Sequence, residues 1–437
     1  MYLLLLLLFS PWLIFRAVTT GRYREGFCEK FLGRIPISSK LEGEKKRVWI
    51  HAVSVGEVQL AFTLLNALKE MYPQFLYAVS TTSKTGMELA RKKFPQDMVF
   101  YCPLDFTWSV KNVLRRLQPD LLILVELELW PNLLLEMQKQ KIPVVVINAR
   151  LSEKSFRGYR RILFLARKMV RSVSLVLAQD EKTAERFKYL GVPPSRVINV
   201  GSMKYDGAVM DRGNSRTVNL AKLWNVTAED VVFLAGSTQF PEEKMAVNAF
   251  CELKDQFPRL RMILVPRHPE RFEEVAALLN ETGLSWQRRS LLQEKSTLKM
   301  GEGHAPGGSF SRILLVDSVG ELGAFWGLAK IGFVGGSMGN RGGQNMIEAA
   351  AYGSAVCFGP NTWNFRDIVT SMLEKNAAVV IHTPSELTDF LYRCLTETSF
   401  AETLQKNATE FIRSQQGATL RTVKMIAENQ KWLAQSE

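Results

Sequence analysis

From position 47 onward, short apolar blocks alternate with longer amphipathic stretches. Blocks such as Leu121–Val125 are typical of buried strands. Stretches such as Val58–Tyr72, in which apolar residues recur every three or four positions, are typical of helices. Strands and helices that alternate in this way predict parallel sheets covered by helices on both faces. The pattern therefore predicts an α/β fold of doubly wound sheets.

A polar stretch at residues 208–227 interrupts the alternation and is interpreted as a linker. It separates an N-terminal domain, 19–207, from a C-terminal domain, 228–400, and residues 401–437 are predicted to be helical. The predicted strands of the first domain are Val48–Val53, Leu76–Ser80, Leu121–Val125, Val144–Ile147, Leu175–Ala178 and Val197–Val200. Those of the second domain are Val231–Gly236, Leu260–Val265, Ile313–Val316, Ile331–Val334, Ala355–Phe358 and Ala378–Ile381.

Residues 1–18 are almost wholly apolar, and Arg22 and Arg24 follow them. A signal peptide usually has basic residues before its apolar part and a small-residue cleavage site after it, and neither is seen. The run is at the short edge for a spanning helix. We interpret 1–18 as a membrane anchor that leaves the rest of the chain in the cytoplasm. The alternative is an apolar helix packed on the globular body.

The chain of 437 residues carries a formal net charge of +13. Such an excess of positive charge favours binding to nucleic acid, to an anionic membrane surface or to a phosphorylated substrate. Aromatic residues interleaved with Lys and Arg are not evident, which makes nucleic acid the weakest of the three. The five scattered cysteines fit reduced thiols. The four histidines show no metal-ligand spacing and no Asp-x-Asp occurs, so we expect neither metal nor cofactor.

The stretch from Ile331 to Glu348 is the most distinctive of the chain. An apolar run ends at Gly335-Gly336, a second glycine pair follows, and a helix-like sequence begins near Asn345. This predicts a buried strand, a glycine-rich turn and a helix start, where unpaired N–H groups and the helix dipole suit a phosphate. Glu348 could accept a hydrogen bond from a ribose. An ordinary strand-to-helix turn would give the same pattern.

Charged residues also follow other predicted strands, at the sheet edge where ligands of such folds bind. Glu57 begins a helix, where it either compensates the dipole or serves as a general base. Arg267 either clamps a phosphate or is a solvated charge. Lys204 could reach a bound anion. Glu126 and Glu128 end a strand, and a structural salt bridge is the alternative to a functional role for them.

Six motifs occur together and in order: Ser54-Val55-Gly56-Glu57, Glu128–Asn132, Asn148–Ser152, Gly201–Asp206, Val265–Phe272, and Phe333–Ser337 with Asn345–Glu348. In these motifs the chain resembles the 3-deoxy-D-manno-octulosonic acid (Kdo) transferases of lipopolysaccharide synthesis, from the N-terminal apolar segment to about Gly417. The resemblance implies a GT-B fold, in which two Rossmann-like domains face each other across a cleft. It also implies CMP-Kdo as donor and a lipid A precursor as acceptor, at the cytoplasmic face of the inner membrane.

The resemblance also implies roles for single residues. The family's general base matches Glu57, and we take Glu126 and Lys204 as supporting residues. Family members often carry His where this chain has Gln344, and a glutamine cannot become charged. The implied CMP site is Pro266, Arg267, Val319, Gly320, Glu321, Asn345, Met346, Ile347 and Glu348.

An inverting transfer needs a base for the acceptor hydroxyl and stabilisation of the departing CMP, which arginine, lysine and a helix start could supply without metal. Two alternatives stay open. One is another GT-B enzyme that uses a UDP-sugar or acts as a sugar-nucleotide epimerase, and the released nucleotide would separate it. The other is a membrane-anchored protein that binds anionic lipid and catalyses nothing. Members that add one, two or several Kdo residues share these motifs.

Overall fold

The computed structural model describes residues 25–36, 45–292 and 311–430. The chain divides into two compact units, Met1–Gly207 with Gln415–Glu437, and Ala208–Ser414. The expected anchor, 1–18, lies outside the described residues. Among the helices that the structure does describe, none is long and apolar enough to cross a membrane.

The first unit is built on a parallel sheet with the strand order β3-β2-β1-β4-β5-β6-β7. Its strands are β1 Arg47–His51, β2 Leu76–Thr81, β3 Met98–Tyr101, β4 Leu121–Val125, β5 Val144–Ala149, β6 Leu175–Ala178 and β7 Val197–Asn199. Its helices up to the second unit are α1 Phe27–Leu32, α2 Val55–Met71, α3 Lys84–Lys93, α4 Thr107–Leu117, α5 Pro131–Lys139, α6 Glu153–Arg161, α7 Leu163–Val170 and α8 Glu181–Leu190.

The second unit repeats this plan, with a parallel sheet in the order β10-β11-β9-β8-β12-β13-β14. Its strands are β8 Val231–Thr238, β9 Leu260–Pro266, β10 Trp286–Arg288, β11 Ile313–Leu315, β12 Ile331–Val334, β13 Ala355–Phe358 and β14 Val379–Val380. Its helices are α9 Ser215–Leu223, α10 Glu242–Leu253, α11 Phe272–Glu281, α12 Leu322–Trp326, α13 Ile347–Ala351, α14 Arg366–Glu374, α15 Pro384–Thr396 and α16 Thr398–Gln415.

Burial on both faces explains why the central strands are continuously apolar. Every residue of β4 and β12 is buried. In β1, Trp49 packs into the core on one side of the sheet, while Val48 and Ile50 pack into the core on the other. Strands covered by helices on both faces have no solvent side on which polar residues are needed. The buried sheets fix the positions of the loops at their ends.

The segment 208–227, expected to be a linker, is an ordered part of the second unit. Arg212 donates hydrogen bonds to the carbonyls of Tyr352, Gly327 and Ala329 at 2.7–2.9 Å. The α9 helix also lies in this segment, and its Thr217 hydroxyl donates to the Ala324 carbonyl at 3.0 Å. Polar residues of this segment donate hydrogen bonds to backbone carbonyls of the second unit, so the segment is not a free linker.

The C-terminal part of the chain returns to the first unit as helix α17, Ala418–Asn429. Val423 and Ile426 of α17 are buried in that unit's core. The Asp206 carboxylate accepts hydrogen bonds from the backbone N–H groups of Gly417 and Thr419 at 2.6 and 2.5 Å. The residues expected to form separate C-terminal helices, 401–437, are thus shared between the two units as far as they are described.

Candidate functional site

In the second unit the predicted CMP residues lie along one edge of the sheet. The strands β11, β9, β8 and β12 are neighbours in that order and run parallel, so their carboxyl ends share an edge. Val319–Glu321 follow β11, Pro266 ends β9 with Arg267 after it, and Asn345–Glu348 follow β12. Ligands of parallel α/β sheets bind at this edge.

Arg267 presents an available charge at this edge. Its backbone N–H donates to the Thr238 carbonyl at 2.9 Å, which fixes the chain after β9. Its side chain is exposed and has no hydrogen-bond or ion-pair partner in the described part of the chain. Pro266, by contrast, is buried. A fixed backbone with an unpaired guanidinium suits the binding of a phosphate.

The turn after β11 has an exposed tip and a glutamate whose carboxylate is already hydrogen-bonded. Val319 is 79% exposed, and Gly320 has φ 91°, in the left-handed region that favours glycine. The Glu321 carboxylate accepts hydrogen bonds from Arg289 at 2.8 Å and from the Ser318 hydroxyl. A ligand here would meet the backbone of the turn before it met a free carboxylate.

The segment Asn345–Glu348 differs from the expected phosphate-binding helix start. Helix α13 has only five residues, and the Ile347 N–H already donates to the Asn345 side chain at 3.1 Å. The side chains of Met346 and Ile347 are buried, so only their backbone can reach a ligand. Burial raises the pKa of Glu348, with the Asn345 amide 3.5 Å from its carboxyl. Such a short helix contributes little dipole.

The glycine-rich turn also differs from the expectation that its N–H groups are open. The Glu242 carboxylate accepts the N–H groups of Gly336, Ser337 and Met338 at 2.7–2.9 Å, and that of Gln239 at 2.9 Å. Glu242 is 1% exposed. A Cβ on Gly335 would lie 2.7 Å from a Glu242 oxygen, which explains the glycine there. The turn's donors therefore hold an internal carboxylate instead of a phosphate.

In the first unit Glu57 lies at the start of α2 and closes a capping box. Its Oε2 accepts the Val53 N–H and its Oε1 accepts the Ser54 hydroxyl, both at 2.8 Å. The Ser54 hydroxyl in turn accepts the Glu57 N–H at 3.3 Å. Burial raises the pKa of Glu57 despite these hydrogen bonds, and the charge of Glu126 adds to the increase. Glu57 thus lies in the first turn of α2, where the sequence left open that it compensates the helix dipole, and its hydrogen bonds add a capping role.

Two further acids surround Glu57. Burial, together with the charge of Glu57, raises the pKa of Glu128 to about 7, although the Trp130 indole donates to its carboxyl at 2.9 Å. Glu126 forms an ion pair with Lys204 at 3.1 Å, so the salt bridge left open by the sequence exists. Glu126 also adopts φ 62°, which is uncommon for a residue other than glycine and occurs often at functional sites.

Two residues of this geometry, Glu128 and Glu242, could not be assigned their positions and partners from the sequence. Glu128 was seen only as one of two acids at a strand end. Its coupling to Glu57 depends on the fold, because the two residues follow β4 and β1, which are neighbours in the sheet. Glu242 is an acidic residue in a first helical turn, and three of its four N–H donors lie more than ninety positions away in the sequence. Within the described ranges, no group of three or more His, Cys, Asp or Glu could hold a metal ion.

The two parallel-sheet α/β units resemble those of GT-B glycosyltransferases in their fold. The crystal structure of a glycosyltransferase from Rickettsia africae ESF-5 matches 89% of this chain and 99% of its own, with a TM-score of 0.56. At 11% sequence identity this likeness shows the fold alone.

Similarity in sequence identifies the family to which the chain belongs. Residues 25–207 match the family model described as 3-deoxy-D-manno-octulosonic-acid transferase. The 3-deoxy-D-manno-octulosonic acid transferase of Haemophilus influenzae is 30% identical over 94% of this chain and 92% of that protein. The enzyme of the same name from Bordetella pertussis is 31% identical over 88% of this chain and 87% of its own. The chain belongs to the Kdo transferase family, and it is a glycosyltransferase.

Proposed function

We propose that this Kdo transferase moves Kdo from CMP-Kdo to a lipid A precursor (lipid IVA), with inversion at the anomeric carbon and with Glu57 as general base. The observation that carries the proposal is the group of three coupled glutamates at the strand ends of the first unit. An effective general base has a pKa near the working pH. Burial raises the pKa of Glu57, which moves it in that direction.

Glu57 is better suited than Glu128 to receive the proton. The Val53 N–H and the Ser54 hydroxyl both donate to Glu57 and stabilise its charged form. Burial, with the charge of Glu57 adding to it, raises the pKa of Glu128 to about 7, so that Glu128 retains its proton more readily. Two neighbouring carboxyls whose environments separate their pKa values commonly divide the roles of base and acid.

The proposed reaction is a single displacement. Glu57 takes the proton of the acceptor hydroxyl while that oxygen bonds to the anomeric carbon of Kdo. The bond from this carbon to the phosphate oxygen breaks, and its electron pair leaves with CMP. The configuration inverts because attack and departure are on opposite faces. CMP carries a single phosphate, so a modest positive environment can stabilise it.

The residues at the strand ends of the second unit fit the CMP side of this reaction. The exposed guanidinium of Arg267 would bind the phosphate. The backbone at Gly320 allows close approach of a ligand, with Val319 and Glu321 beside it. Glu348 would accept a ribose hydroxyl. The backbone at Asn345, Met346 and Ile347 would supply the remaining contacts, alongside Pro266.

A surface on the first unit supports an anionic inner-membrane surface as a further partner. Residues 153–171, which include α6 and α7, carry seven Lys and Arg side chains and one acid. The basic side chains are exposed, as are Ile162, Phe164 and Leu165, and Phe164 is 89% exposed. Apolar residues flanked by basic ones are typical of segments that lie on anionic lipid. This surface would bring the active site to an acceptor that is itself in the membrane.

The anomeric configuration of the product tests this proposal. Purified protein is incubated with CMP-Kdo and lipid IVA, the product linkage is determined by NMR, and the released nucleotide is identified by chromatography. We expect release of CMP and an inverted linkage. Retention would contradict the single displacement. Turnover of a UDP-sugar without turnover of CMP-Kdo would contradict the donor.

A further inference from the structure

A cavity of about 220 Å³ opens in the second unit beside the residues expected to bind CMP. It is partly enclosed by the ends of three neighbouring strands. Gln239 and Glu242 line it after β8, His268 and Arg271 after β9, and Asn340 and Arg341 after β12. The family resemblance assigns no role to these residues.

The position of the cavity relates it to the CMP residues. Arg267 immediately precedes His268 after β9, and Asn345 follows Arg341 in the same segment after β12. The order β9-β8-β12 places the cavity between these two parts of the predicted CMP site. If a nucleotide binds with its phosphate at Arg267, a group attached to that phosphate would lie near this cavity.

Most of the charged groups around the cavity are already engaged within the second unit. Glu242 is occupied by four backbone N–H groups, as described above. Arg271 is paired with Glu243 at 3.1 Å and with Glu274 at 2.8 Å. Arg341 and His268 are exposed, and no side-chain partner of either occurs in the part of the chain that the structure describes. The remaining cation of fixed charge is therefore Arg341.

The walls also offer neutral hydrogen-bonding groups. Gln239 and Asn340 line the cavity, and their side-chain amides have no hydrogen bond to the described residues. Amides both donate and accept, which suits hydroxyl groups. An unpaired guanidinium next to free amides fits a polyhydroxylated ligand with a carboxylate, because a planar guanidinium binds a carboxylate through two parallel hydrogen bonds.

We propose that this cavity receives the sugar-acid part of the donor, with Arg341 binding its carboxylate and Gln239 and Asn340 facing its hydroxyls. The inference rests on the proposed function, since it takes CMP-Kdo as the donor. The donor has two anionic groups, the phosphate and the sugar carboxylate. Arg267 is the residue proposed for the phosphate, which leaves Arg341 for the carboxylate and makes the cavity the site that distinguishes a sugar acid from a neutral sugar.

Steady-state kinetics of Arg341→Gln test this assignment. We expect the KM for CMP-Kdo to rise about 10- to 100-fold, as for loss of one charge-assisted hydrogen bond. The Ki of free CMP, which lacks the carboxylate, should change less than about twofold. Arg341→Lys retains the charge without the planar fork and should give an intermediate KM. The matched control is Arg413→Gln on α16, an exposed arginine without a side-chain partner among the described residues, and it should leave both constants unchanged.

Each other outcome overturns the assignment. An equal rise of the KM for CMP-Kdo and the Ki of CMP would mean that Arg341 binds the phosphate. Unchanged constants would mean that the cavity does not hold the sugar. Thermal unfolding of each variant confirms that the protein is folded, and direct calorimetric binding of CMP gives a readout that needs no turnover. If wild-type protein binds CMP but does not turn over CMP-Kdo, the proposed function itself is contradicted, whatever Arg341 does.

Discussion

Replacing Glu57 with glutamine separates its capping role from its proposed catalytic role. The glutamine has nearly the same shape but cannot take a proton from the acceptor. A positioned general base contributes about 10²–10⁴-fold, so we expect kcat to fall by that factor, which corresponds to about 2.7–5.4 kcal/mol of barrier. The KM for CMP-Kdo should change little, because no contact proposed for the donor involves Glu57.

The structure also sets the expected cost in stability. The Glu57 carboxylate accepts two hydrogen bonds, from the Val53 N–H and the Ser54 hydroxyl, and a glutamine oxygen can take over only one of them without rearrangement. The lost bond costs about 0.5–1.5 kcal/mol, and relief from burying a charge offsets part of it. For a unit of this size, in which 1 kcal/mol corresponds to about 2–4 °C, the decrease in Tm is about 1–6 °C at most. The expected decrease in the free energy of unfolding is smaller than the expected increase in the activation free energy.

Ser54→Ala is the matched control. It removes the hydroxyl of the cap at a cost of about 1 kcal/mol but retains the carboxylate and its bond to Val53. Stopped or continuous assays of CMP release, with thermal unfolding of both variants, give the comparison. We expect Ser54→Ala to remain within tenfold of wild-type kcat and Glu57→Gln to fall by at least a hundredfold. If the two variants lose activity equally, capping explains both. If Glu57→Gln turns over at nearly the wild-type rate, the base is another group, and Glu126 and Glu128 are the next residues to replace.

Three other predictions concern the donor, the acid cluster and the membrane. Arg267→Ala should weaken CMP binding by about 1.5–3 kcal/mol in calorimetry, as for a lost charge-assisted hydrogen bond, and an unchanged affinity would remove Arg267 from the site. The pKa of Glu128 is raised from 4.5 to about 7, so the folded protein holds more protons than the unfolded chain between these values and loses stability as pH rises through them. The full shift corresponds to about 3 kcal/mol of folding stability, and solvent screening at this half-buried site reduces it to about 1–2 kcal/mol. Wild type loses this stability as the pH rises from about 4.5 to 7, whereas Glu128→Gln has no carboxyl to titrate at this position. The Tm of Glu128→Gln relative to that of wild type should therefore increase over this pH range. A Tm difference independent of pH would mean that Glu128 titrates normally. The double variant Phe164→Ser/Arg160→Ser should bind less to vesicles that contain anionic lipid. The control Trp363→Ser, which alters an exposed aromatic residue of the second unit, should bind as wild type does. Equal binding by wild type, the double variant and the control would exclude the α6–α7 surface.

The parts of the fold that follow from local pattern could be predicted from the sequence. The bounds of β4, β6, β12 and β13 agree with the apolar blocks, because strands buried on both faces have little else in them. Strands β3 and β10 were missed. Both are short outer strands of their sheets, and β10 is partly exposed, so polar residues such as Gln287 are tolerated there. Helices α6 and α7 meet at Ile162, and no glycine or proline marks the break between them in the sequence.

The candidate site could be predicted less completely. Glu57 and Arg267 stand in motifs of the chain, and both lie at strand ends as expected. The glycine-rich turn was interpreted as a phosphate site because the sequence shows its donors but not the acceptor that occupies them. That acceptor, Glu242, reaches the turn only once β8 and β12 pair. The pKa of Glu128 likewise depends on burial and on the charge of Glu57, which are properties of the folded unit and not of the local sequence.

The mass of the lipid product shows whether this protein transfers Kdo to a lipid A precursor. Purified protein in detergent is incubated with CMP-Kdo and a tetraacylated lipid A precursor, and the lipid is extracted and measured by mass spectrometry, with Glu57→Gln as the parallel sample. We expect a new lipid heavier by one or more Kdo residues, formed together with CMP, and strongly reduced in the Glu57→Gln sample. An unmodified lipid after prolonged incubation with folded wild-type protein that binds CMP would contradict it.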